Sequence, residues 1–259
     1  MDKREYLLDC GLYNLKQSLT KAAMGYTTTF PSYGDAYIFD SPSGVAKDFF
    51  TYVHEFGHYN ASYYAEQDLV FGEGNILDVC EIQSQGLEML MASKYHEMFD
   101  ENRATYLEYN AVESLLYAVY SAACQAEFEI YAYEHPDTTI DELSEEYRKL
   151  YLQYGFGVPM GSKQLYSWVD ISHFFVSPGY YISYVTSAFG ALQVYQIAKQ
   201  DYDEAVEKYM EISTIGPFTQ YCEAMNLVNL ENPFDKNVAG NVVKEVCADL
   251  KMMLKAYNG

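Results

Sequence analysis

The stretch Thr51-Tyr52-Val53-His54-Glu55-Phe56-Gly57-His58-Tyr59 constrains the fold of this chain more than any other. On a helix, His54 and His58 stand one turn apart on one face, so both imidazoles can reach a single ion. Glu55 projects beside that pair, where a carboxylate can take a proton from a water rather than hold the metal. The pattern predicts a zinc helix carrying one Zn2+ per chain. Phe49, Phe50, Tyr52, Val53 and Phe56 make the segment apolar on most sides, so the helix is expected to be buried. Gly57 costs about 1 kcal/mol against alanine in a helix interior, which implies that a substrate backbone or a neighbouring helix approaches there.

Two imidazoles and a water leave a zinc site one protein ligand short. After a Gly72-Glu73-Gly74 turn and an N-cap expected at Asn75, a second helix carries Asp78, Glu81, Gln85 and Glu88 as a polar seam. The rest of that helix is apolar: Ile76, Leu77, Val79, Cys80, Ile82, Leu87, Met89 and Leu90. Three carboxylates facing an interior need positive charge, and a divalent ion held by His54, His58 and Glu81 supplies it. Asp78 and Glu88 are then expected to accept hydrogen bonds from the ligands' outer N–H groups.

A further constellation lies at Trp168-Val169-Asp170-Ile171-Ser172-His173, continuing through Pro178-Gly179-Tyr180-Tyr181 to Tyr184. Hydrolysis of an amide builds negative charge on the former carbonyl oxygen, and phenol and imidazole donors can be aimed at it. A Pro-Gly loop would let such donors swing inward. On the residues alone this is also an ordinary aromatic-rich core segment.

His54-Glu55-Phe56-Gly57-His58, followed by Glu81-Ile82-Gln83-Ser84 and Glu88, resembles the paired zinc helices of the thimet oligopeptidase and oligoendopeptidase F family of metallopeptidases. That family shows His-Glu-Phe/Leu-Gly-His and then a helix with Glu-x-x-Ser-x-x-x-Glu. The resemblance implies a mainly α, helical zincin-type catalytic domain with a small antiparallel β-hairpin beside the zinc cleft. It implies zinc-dependent hydrolysis of internal bonds in short peptides, with Glu55 as general base. It places His173 and Tyr184 at positions used for substrate and oxyanion binding, with Tyr181 next and Tyr180 after it, and leaves the order among the three tyrosines open. Family members are typically longer, with a helical region before the zinc helix forming the facing wall of a channel. Here a helix and a hairpin precede it, which fits an excised catalytic portion, a truncated gene product, or a short relative that completes its channel by self-association or with a partner lobe.

Elsewhere, Arg4–Ala23 carries a helical spacing of leucines, and Gly25–Asp40 reads as strand, turn and strand. Ser43 is the expected cap of the zinc helix. Helices are predicted over Thr105–Tyr133, from Thr139 to the Tyr154-Gly155 break, over Tyr184–Lys199 and Ala205–Ile212, and over Val242–Leu254. His96 and His135 read as surface residues. No linker or repeat interrupts residues 1–259, so one catalytic domain is expected.

The net charge of −21 argues against nucleic acid and anionic membranes as partners. No apolar run approaches the length of a membrane span, and five scattered cysteines suit a reducing cytoplasm. Two other readings compete with the peptidase: a catalytically idle zinc module that binds peptides or serves structure, and a zinc carboxypeptidase. The first has no use for Glu55, and the second needs a cationic anchor that the motifs do not contain.

Overall fold

The computed structural model describes residues 2–21, 25–64, 77–157, 166–216 and 219–258. The expected N-cap at Asn75 and the turn before it lie outside these residues. The chain is mainly helical, with one small sheet near its start.

The first helix, α1 (Lys3–Cys10), is much shorter than the leucine spacing predicts. Gly11 ends it in the left-handed conformation, φ 64°, with its N–H on the carbonyls of Leu7 and Leu8. The leucines beyond do not continue a helical stripe. Leu12 and Leu15 pack on a small core of Leu7, Ala36, Ile38 and Tyr59, while Leu19 is fully exposed. Between them β1 (Tyr13–Asn14) runs parallel to β3 (Asp35–Phe39), and β2 (Tyr26–Phe30) runs antiparallel to β3. The expected hairpin is therefore part of a three-stranded mixed sheet of order β1-β3-β2, with β2 at one edge. Gly34, at φ 64°, closes the turn between β2 and β3.

The motif helix, α2 (Ala46–Ala61), begins at Val45 rather than at Ser43. The Asp48 carboxylate folds back to accept the N–H groups of Gly44 at 2.6 Å and Val45 at 3.0 Å, and Ser43 donates to the same carboxylate. A carboxylate in the first turn satisfies donors that the helix itself cannot. Two faces of α2 are backed, Phe50 on the central core and Phe56 with Tyr59 on the sheet, whereas Phe49, counted with them among the apolar positions, stays exposed.

Next come α3 (Leu77–Ala92), α4 (Tyr95–Met98) and the long α5 (Glu101–Glu134). The helix predicted from Thr139 is α6 (Ile140–Gln153), and a Thr139–Glu142 capping box opens it. A 3-10 turn over Ser167–Asp170 leads to α7 (His173–Val176) and then to α8 (Tyr181–Gln200). The remaining helices are α9 (Tyr202–Ser213), α10 (Tyr221–Leu227) and α11 (Val238–Asn258).

At the centre α3 lies between α2 and α8, and α5 and α11 cover α8 from the other side. One core joins Met89, Tyr95, Val112, Leu192 and Tyr195 with Val246 of α11; a second joins Ile82, Val194, Tyr209, Ile212 and Met225. An aromatic cluster of Phe128, Tyr147, Trp168 and Phe174 fixes α5 against α6 and α7. No helix among the described residues is long and apolar enough to cross a membrane.

The approach of α2 to α3 explains Gly57. A Cβ there would stand 2.6 Å from the Ser84 Cα and would collide with the Gln83 carbonyl. The neighbour that the glycine admits is thus a helix backbone. Gly57→Ala is expected to lose about 1–3 kcal/mol of stability by forcing the helices apart. Gly240→Ala, which meets nothing within 4 Å on α11, is expected to gain about 0.5–1 kcal/mol. Denaturant midpoints of the two variants measure both, and equal midpoints would contradict the close packing.

Candidate metal centre

His54 and His58 leave the same face of α2 with their rings 5.0 Å apart. Directly opposite, α3 presents Glu81, which is 8% exposed. His54 Nε2 lies 3.4 Å and His58 Nε2 3.5 Å from Glu81 Oε2, and one ligand atom from each of the three residues fits within 4.8 Å. Donors around a tetrahedral zinc with bonds near 2.0–2.1 Å stand about 3.3 Å apart, so the separations and the N,N,O donor set fit that ion.

The supporting groups fix which atoms face inward. His54 Nδ1 is 2.7 Å from Glu88 Oε1, which leaves Nε2 for the ion. Glu81 is held by the Ser84 hydroxyl, 2.9 Å from Oε2, and by the Tyr180 hydroxyl, which donates to Oε1 at 3.3 Å. Ser84 is fully buried at the point where α2 crosses α3, so the helix contact and the ligand contact share one residue. Glu88 thus stands where the sequence reasoning expects it. Asp78 does not: it accepts from Ser183 Oγ at 2.6 Å, and its carbonyl accepts from Ser187 at 3.0 Å, so it ties α3 to α8 instead of backing a ligand.

Charge at the site is strongly coupled. Burial works against a proton on His54, but the Glu81 and Glu88 carboxylates outweigh it and lift the imidazole to about 10. Burial likewise pushes the Glu81 carboxyl up, yet the two histidines reverse this and hold it well below the usual range.

Glu55 is buried at 6% exposure, and its carboxylate turns toward the sheet. Thr27 Oγ1, on β2, lies 2.8 Å from both Glu55 Oε2 and the Glu55 carbonyl oxygen. Gly25 lets the chain enter β2 against this side chain: a Cβ there would be 2.6 Å from Thr51 Cγ2 and 3.4 Å from Glu55 Oε1. Thr27 was not recognisable from the sequence, where it is one of three consecutive threonines in a strand.

The aromatic segment reaches the same place from α7 and α8. Tyr184 OH is 3.5 Å from His173 Nε2, and the rings of Tyr180 and Tyr184 are 4.8 Å apart. Tyr180, which the resemblance placed after Tyr184 and Tyr181 while leaving their order open, makes the direct bond to Glu81. Tyr181 stands between the two groups, its ring 5.4 Å from both Phe174 of the aromatic cluster and His173. Burial, and then the Glu81 charge, push the Tyr180 and Tyr184 phenols up, so both stay protonated donors across the neutral range. His96 and His135 are exposed, as expected. His96 does have partners, Glu101 at 3.1 Å and Glu108 at 3.2 Å.

This arrangement can be compared with known proteins. The model of Peptidase family M3 matches residues 39–237, which contain α2, α3 and the aromatic segment. The oligoendopeptidase F homolog of Borreliella burgdorferi is 26% identical over 193 residues, covering 71% of this chain and 32% of that protein. Oligopeptidase PepF of Bacillus subtilis is 28% identical over 195 residues, covering 71% of this chain and 29% of that one. The chain therefore spans about a third of the length of these relatives. Among solved structures, PZ peptidase A with inhibitor 2 superposes with a TM-score of 0.86 at 23% identity, over 96% of this chain and 45% of the other, a likeness of fold. With the family match extending across more than half of the residues and both helices of the candidate metal centre inside it, the chain belongs to Peptidase family M3.

Proposed function

We propose that this chain is a single catalytic domain that uses one zinc ion to hydrolyse internal bonds of short peptides. The observation that carries the reading is the convergence of His54 Nε2 and His58 Nε2 on Glu81 Oε2, with the carboxylate of Glu55 buried on the same helix. His54, His58 and Glu81 hold the ion. When bound, zinc supplies a Lewis acid and lowers the pKa of water toward neutrality.

The chain's own groups account for the remaining chemistry. Glu55 takes a proton from the attacking water and passes it to the leaving amine. Tyr180, in the turn before α8, bonds Glu81, and His173 of α7 and Tyr184 of α8 face each other beside it, so these groups are the donors proposed for the oxygen on which charge develops. The phenols suit that role because they remain protonated. Peptide binding is supported by the sheet. Strand β2 is an edge strand, and the residue that touches the proposed base, Thr27, lies on it. An extended peptide pairing along that edge would lie beside Glu55.

Glu55→Gln is expected to retain one zinc per chain and lose turnover by about three or more orders of magnitude. His58→Ala is expected to lose both zinc and turnover. Metal analysis alongside cleavage of a fluorogenic peptide separates the two variants, and substantial turnover in Glu55→Gln would remove the general-base assignment.

Glu88→Ala deprives His54 Nδ1 of its acceptor. Zinc affinity should fall about 10- to 100-fold, measured by competition with a chelating dye. The pH dependence has a defined sign. His54 in the metal-free site is protonated at neutral pH, because its pKa is raised to about 10, and the ion must displace that proton from Nε2. Apparent affinity should therefore rise with pH, by roughly tenfold per unit between pH 6 and 9. A flat profile would place another group in the ligand set.

A further inference from the structure

We propose that Glu129 is a positioning residue for the aromatic side of the site, acting as an internal latch on the turn that carries it. Glu129 belongs to α5, is 6% exposed, and accepts the Gly179 N–H at 2.7 Å across 50 residues of sequence. Gly179 sits at φ 78° in the turn that joins α7 to α8, which Tyr180 N–H closes on the Ser177 carbonyl at 3.2 Å. The turn is exposed, whereas its acceptor is buried, so this bond ties a surface segment to the interior. A hydrogen bond to a carboxylate is roughly twice as strong as one between neutral groups.

The residues on either side of the turn are those around the metal centre. His173 lies before it, and Tyr180 follows directly, with its hydroxyl on Glu81. Tyr184 is one helical turn further, facing His173. Phe174, packed on Phe128 with ring centroids 5.5 Å apart, anchors the α7 end of the segment. Glu129, one residue beyond Phe128 on α5, anchors the α8 end. Without the second anchor the turn is free to pivot about the first, so Tyr180 moves away from the ligand carboxylate and His173 from Tyr184, which stays with the α8 turn that Ser183 holds on Asp78. Glu129 touches none of the proposed reacting groups itself, and its effect passes through the Gly179 backbone.

The catalytic consequence rests on the reading of the site as a peptidase, so the test has one arm that does not. In the full chain labelled with 15N-glycine, the Gly179 amide of Glu129→Ala should exchange with solvent about tenfold or more faster than in the parent. The Gly190 amide, inside α8, should be unchanged. In the zinc-loaded protein the same variant should lose roughly 10- to 100-fold in kcat through misplaced donors, with zinc content intact and KM little altered. Glu129→Gln keeps an acceptor oxygen and should recover most of both losses. Unchanged Gly179 exchange in Glu129→Ala would overturn the latch, as would a Gln variant no better than Ala. If Glu129→Ala does not fold, the parent decides: a protected Gly179 amide supports the latch and one exchanging at the unstructured rate overturns it. A parent that cleaves nothing would count against the peptidase reading alone, because exchange still reports the latch.

Discussion

The contact between α2 and α3 at Gly57 and Ser84 is what the rest of the site depends on. A single missing Cβ lets two helix backbones touch, and that distance sets how far the imidazoles of α2 stand from the carboxylate of α3. Ser84 takes part twice, once as the surface that Gly57 meets and once as a support for Glu81. Everything outside this pair holds it in place. The sheet supports α2 through Tyr59 and Thr27, and α8 supports α3 through Asp78 and the core around Ile82.

The second constraint is electrostatic. Glu55, Glu81 and Glu129 are buried, and none is paired with lysine or arginine by any bond described above. Each is instead matched with particular donors: a threonine hydroxyl, two imidazoles with a serine and a tyrosine, and a backbone N–H. Burying a carboxylate without such partners costs several kcal/mol, so the donors are structural necessities before they are catalytic ones. They also leave the site rich in negative charge, which favours a divalent cation at the centre of the Glu81 cluster.

The parts of the molecule set by local spacing were legible in the sequence. The i,i+4 histidines, the α3 seam, the helix start at Thr139 and the strands either side of Pro31 all depend on neighbours a few residues away. Two local signals were misread. The leucines after α1 follow a helical spacing, but Gly11 adopts the left-handed conformation and turns the chain into β1. Ser43 stands near the start of α2, yet the Asp48 carboxylate makes the cap. The pairings that organise the site were not legible, because they join distant residues through ordinary side chains: Thr27 with Glu55, Asp78 with Ser183, Glu129 with Gly179. The partners of the three tyrosines were not legible for the same reason. Spacing alone does not reveal that Tyr180 turns to Glu81 while Tyr181 stands between Phe174 and His173.

The most direct measurement is stoichiometric restoration of cleavage. The purified chain is stripped with a chelator, titrated with zinc and incubated with a mixed library of short peptides, and the products are read by mass spectrometry. The account predicts internal cuts that vanish on stripping and return in proportion to zinc, up to one ion per chain. Binding of one zinc with no cut in any peptide, or cuts indifferent to the chelator, would contradict it.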